Sequence, residues 1–104
     1  MKIKDRKIKA RYRAVAVLKS KPGRGPELID FTVEVVPQIR RVEGLSKFEV
    51  NRSLTEPERL VLYYWWESPE HSRRYVAGPV YASIAPRLAA LVEEHQLYMT
   101  ENLS

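Results

Sequence analysis

The side chains of this chain that are able to do chemistry are mostly aromatic. Both tryptophans and two of the six tyrosines fall in one run, Leu60-Val61-Leu62-Tyr63-Tyr64-Trp65-Trp66. An indole or phenol ring offers a flat apolar face for stacking and a single N–H or O–H to give to a ligand. In an extended strand Leu62, Tyr64 and Trp66 share one face, and Val61, Tyr63 and Trp65 share the other. Tyr75, Tyr81 and Arg74 follow in a stretch that reads as helical, and His95 in a later one that reads as a strand. Arg74 is a permanent cation, and His95 is a proton carrier near neutral pH. Asn51, on the strand before the aromatic run, is a further polar candidate.

Other chemistries find no support. The chain has no cysteine, hence no disulfide, thiol nucleophile or thiolate metal site. Two histidines, His71 and His95, do not make a His-rich zinc centre. Glu93 and Glu94 are adjacent, so their side chains diverge and do not form a catalytic carboxylate pair. No serine lies in a nucleophile-elbow pattern. The Pro22-Gly23-Arg24-Gly25-Pro26 loop lacks both the dinucleotide fingerprint and the Lys-Ser/Thr ending of a phosphate loop. A thiolate or His-rich metal site and a phosphate-cradling loop are therefore not expected.

These residues need elements to hold them. The aromatic run has strand length and β-forming composition, but both of its faces are apolar, so cover is needed on both sides. Tyr12-Arg13-Ala14-Val15-Ala16-Val17-Leu18-Lys19 reads as a first strand with the same property. Leu28, Phe31, Thr32, Val35, Ile39 and Val42 recur at helical spacing after Pro26, with Gly44 placed as a left-handed stop. Pro37 predicts a kink or short break in that helix. Leu45–Arg52 alternates, with Phe48 and Val50 on one side and Lys47, Glu49 and Asn51 on the other. Residues 54–58 form a hairpin turn. Ser68 and Pro69 open a second helix to Val76. After Ala77-Gly78-Pro79 comes a further helix marked by Val80, Ile84, Leu88 and Leu91, which must absorb Pro86. His95–Thr100 is a final strand. The order β-α-β-β-α-β is the α+β, ferredoxin-like split βαβ plan, an antiparallel sheet with helices on one face. The uncovered apolar face predicts a homodimer through the sheet, a shared barrel.

The net charge of +5 sits mostly in the leading arm. Lys2, Lys4, Arg6, Lys7, Lys9, Arg11 and Arg13 face Asp5 alone, and the remainder is close to neutral. The expected organisation is a basic arm over 1–11 and a single domain over 12–104. No basic stripe continues into the body, so nucleic acid is not the expected partner. No stretch suits a membrane span or a signal peptide, and the expected location is cytoplasmic.

Tyr63-Tyr64-Trp65-Trp66-Glu67-Ser68, followed after a helix by Pro79-Val80-Tyr81, resembles the antibiotic biosynthesis monooxygenase (ABM) domain. Lys21-Pro22-Gly23, Val42-Glu43-Gly44 and the mid-helix Pro37 fit the same pattern, and the likeness covers roughly residues 12–102. The resemblance implies a dimeric α+β barrel and oxygenation of a phenolic or quinol-like aromatic by O2 without flavin, haem or metal. Tyr75 and Val80 stand where the family often has histidines. Ala16 stands near the asparagine of haem-degrading relatives, so haem degradation is not implied. Leu62 replaces a polar companion of the tryptophan in polyketide-type relatives. Cofactor-free oxygenation needs a phenol made anionic, held flat and shielded from water. On that reading Trp66, Tyr75, Arg74 and His95 are the candidate catalytic residues, and Tyr64, Tyr81, Leu62 and Asn51 bind the substrate. The alternative is a dimeric module of the same fold that binds a small molecule without turnover. An RNA-binding sheet would need an RNP-like run that is missing here.

Overall fold

The computed structural model describes residues 11–104. The basic arm expected over 1–11 therefore lies outside the described residues except for Arg11. The elements are β1 (Tyr12–Ser20), α1 (Gly25–Glu34), α2 (Val36–Arg40), β2 (Leu45–Arg52), β3 (Arg59–Trp66), α3 (Pro69–Val76), α4 (Pro79–Leu91) and β4 (Val92–Glu101). The strands form one antiparallel sheet in the order β2-β3-β1-β4. The aromatic strand β3 and the alanine-bearing strand β1 are thus the two central strands. This is the expected ferredoxin-like architecture.

Pro37 acts as foreseen. The first helical stretch breaks at Val35, and Pro37 falls in the opening turn of α2, where its missing N–H leaves no bond unmade. Pro86 is tolerated inside α4 on an exposed position. Ser68 caps α3: its hydroxyl accepts from the His71 backbone N–H at 3.2 Å and pairs with His71 Nδ1 at 2.8 Å. Gly44 turns the chain into β2 at φ +82°, and a Cβ there would collide with the His71 ring. Only glycine combines that left-handed backbone with room for the imidazole.

Register separates the two faces of the sheet. Ala14, Ala16 and Leu18 of β1 share a face with Leu60, Leu62, Tyr64 and Trp66 of β3 and with Phe48 of β2, and all are buried. Leu28, Ile39, Tyr75, Ile84 and Leu91 of the helices close over them. The opposite face carries Val15, Val17, Val61, Tyr63 and Trp65, all only partly buried, and the exposed Tyr98. The guanidinium of Arg13 and the ammonium of Lys47 lie over the Trp65 ring, 5.5 and 4.9 Å from its centroid.

Candidate active site

The helix-covered face holds a cavity because of a size contrast in the sheet. Tyr64 is paired in register with Ala14 and Leu62 with Ala16, while on the other flank Leu97 lies beside Ala16 and His95 beside Leu18. The two alanines carry only a methyl group, so space remains above β1 between the large side chains of β3 and β4. The cavity measures about 90 Å³. Leu62, Tyr64, Trp66, Tyr75, Tyr81 and His95 all line it. Six of the eight residues picked from the sequence thus surround one space.

Two do not. Asn51 lies on the open face, in register with Val61, and its side chain is exposed. It cannot touch a ligand in this cavity, because Phe48 and Val50 take the helix-covered face of β2. Arg74 is exposed and borders a separate surface groove with Val42 and Glu43. It precedes Tyr75 by one residue, about 100° around the helix, so only one of the two can face inward. Ala14, Ala16, Leu18, Ser72, Val76, Leu88 and Leu97 complete the lining and were not singled out from sequence as site residues. The one available signal was Ala-x-Ala on the core-facing positions of a strand otherwise filled by Val and Leu.

The aromatic groups form one cluster. Tyr64 and Trp66 stack with planes 8° apart and centroids 6.0 Å apart. Tyr75 leans on both, at 5.9 and 5.6 Å, and meets Tyr81 edge-on at 5.5 Å. Trp66 is 1% exposed, and its indole Nε1 is buried with no hydrogen-bond partner. An orphan N–H of this kind costs about 1–3 kcal/mol. It belongs to a ring that borders an empty space.

Burial raises the Tyr64 phenol well above the ordinary tyrosine range, and the neighbouring Tyr75 phenol adds to the effect. Burial likewise pushes Tyr75 up to about 12. At neutral pH both phenols are therefore O–H donors. His95 is the one imidazole in the lining. Among the described residues no group of three or more His, Asp or Glu side chains gathers as metal ligands. No helix there is long and apolar enough to cross a membrane.

A four-stranded antiparallel sheet with helices on one face and an aromatic cavity between the layers defines a ferredoxin-like α+β protein. The antibiotic biosynthesis monooxygenase family matches residues 11–87, and the chain belongs to that family. Solved structures share the fold. A conserved protein from Methanosarcina mazei Go1 superposes with a TM-score of 0.82 at 18% identity, covering 90% of this chain and 96% of that one. Protein SO0527 from Shewanella oneidensis gives 0.79 at 23% identity over 88% and 89%. A protein provisionally named an antibiotic biosynthesis monooxygenase, from Deinococcus radiodurans, gives 0.80 at 16% identity over 89% and 93%. Comparison with curated proteins finds no match.

Proposed function

We propose that this protein is a cofactor-independent monooxygenase that oxidises a small phenol or quinol with O2 in the cavity beside Trp66. The observation that carries the reading is the unpartnered, buried indole N–H on a ring that lines an aromatic cavity. A ligand oxygen placed against it would satisfy the donor, and an oxyanion would satisfy it best.

On this reading a flat phenol enters the cavity and packs against Trp66 and Tyr64. His95, on the β4 side of the cavity, takes the phenolic proton. The Trp66 N–H and the Tyr75 O–H hold the resulting phenolate, and apolar Leu62, Ala14 and Ala16 keep water away. The electron-rich ring then passes an electron to O2, and the radical pair collapses to a carbon–oxygen bond. For a phenol with a free para carbon, the products are a para-quinone and water. One oxygen atom becomes the new carbonyl. The other leaves as water with the hydrogens of the hydroxyl and the ring carbon. Arg74 is placed outside this scheme.

The second reading is binding without turnover. Leu62 and the otherwise apolar lining favour it, because His95 is then the only group able to accept the proton. Oxygen uptake with a panel of hydroquinones and anthrone-like phenols separates the two. Uptake matched by a quinone that carries one oxygen atom more than the substrate supports the enzyme; saturable binding with no uptake supports the module.

We also propose that a second copy covers the open sheet face. Its Val15, Val17, Val61, Tyr63 and Trp65 are left part-exposed by a single chain, and Arg13 on the same face has a buried Nε with no acceptor among the described residues.

A further inference from the structure

The cavity is small for its proposed task. Small-molecule sites usually enclose about 300–1,000 Å³, and this one measures about 90 Å³. A second hollow adjoins it. Ser72 and Val76 of α3 and Leu97 of β4 line the cavity, and the same three residues line an adjoining surface groove of about 400 Å³. Beyond them the groove continues along Met99 towards Arg73 and Glu101. Its apolar walls are open to solvent: Val76 is 49% exposed, Leu97 50% and Met99 48%. β4 is an edge strand, and its Leu97 and Met99 stand beside Ala16 and Ala14 on the helix-covered side of the sheet. They point away from the face that carries Tyr63, Trp65 and Tyr98.

We infer that the natural ligand is an alkyl-substituted phenol or quinol whose ring occupies the cavity and whose apolar tail lies in the groove along Val76, Leu97 and Met99. This rests on the cavity being the ring site. Two observations select a tail as the occupant. The groove and the cavity lie on either side of three shared residues, so a single molecule that passes between Ser72, Val76 and Leu97 fills both. Its apolar strip is short as well: Leu97 to Met99 is one two-residue strand step, about 7 Å, which a chain of about five carbons spans. The polar Arg73 and Glu101 mark where the tail would meet water; Glu101 is already paired with Arg11 at 3.2 Å.

The test is titration calorimetry of the full chain with phenol and its 3-methyl, 3-propyl, 3-pentyl and 3-octyl derivatives. Burying a methylene fully strengthens binding about fourfold; in a groove open on one side, about twofold per carbon is expected, with a plateau after pentyl. Met99 does not line the cavity, but its sulfur accepts from the cavity-lining Ser72 hydroxyl at 3.6 Å; Met99→Lys is expected to flatten the series, whereas Met99→Leu, which also lacks the sulfur, keeps the slope. Phenol binding with a flat wild-type series overturns the tail assignment and leaves the ring site standing. No binding by any member overturns both. A slope that survives Met99→Lys places the tail elsewhere and overturns the inference. A flat series together with a smaller sedimenting species for Met99→Lys gives the groove to a second copy, and likewise overturns it.

Discussion

At Trp66 two energies of similar size oppose each other. Replacing it with Phe removes buried ring atoms and enlarges a cavity, a loss of about 1.5–3 kcal/mol. It also removes an indole N–H whose burial without a partner costs about 1–3 kcal/mol. Trp66→Phe is therefore expected to change unfolding free energy by no more than about 2 kcal/mol in urea denaturation, a small effect for the largest fully buried side chain in the core. The loss would appear in ligand binding instead. The tyrosine pair makes a pH prediction. Tyr64 and Tyr75 have folded values above the ordinary 10.0. Below that value both states keep the proton and the pair has no pH-dependent effect. As pH rises from about 10 towards 12, the unfolded chain loses these protons first, and stability falls. Alkaline denaturation should begin in that window, and Tyr64→Phe should make the fall shallower. A slope unchanged by the variant would contradict the burial argument.

At the scale of the element, β1 decides whether there is a site at all. Its alanines hold the cavity open, so Ala16→Leu should fill it. The expected result is at least a tenfold loss of phenol affinity, with stability unchanged or raised by about 0.5–2 kcal/mol, as for cavity-filling substitutions. A fall in melting temperature would show that the space is needed by the core. This scale also shows what the residues disclosed and what they hid. The aromatic strand, the Ser68 cap, the Gly44 turn and the break at Pro37 were legible because each follows from local backbone chemistry. The cavity was not, because it arises from small side chains on β1 facing large ones on β3, a contrast that exists only once the register is known. Asn51 was correctly set opposite Phe48 and Val50 by alternation, yet alternation does not say which face meets the helices. Arg74 was legible as outward-facing from its one-residue step to Tyr75, and the attraction of a cation near an oxyanion obscured it. The register shift between Leu45 and Lys47 left no sequence signal at Ser46.

For the whole molecule, the sheet is a partition with a different task on each side. The helix-covered side encloses the aromatic cavity. The open side presents Val15, Val17, Val61, Tyr63 and Trp65, flanked by Arg13 and Lys47. That apolar strip argues for a self-associating surface. Sedimentation at low micromolar concentration should give a dimer, and Val61→Lys should give a folded monomer with unchanged circular dichroism. A wild-type monomer at that concentration would remove the case for the paired sheet while leaving the cavity untouched. The assignment of activity rests on the cavity, and on Trp66 within it. The most direct measurement is oxygen consumption by wild type and Trp66→Phe with one quinol that the wild type turns over. Stoichiometric O2 uptake, reduced at least tenfold by the substitution as for loss of a single oxyanion donor, is the predicted result. Undiminished uptake by Trp66→Phe, or no uptake by the wild type with any quinol tried, would contradict it.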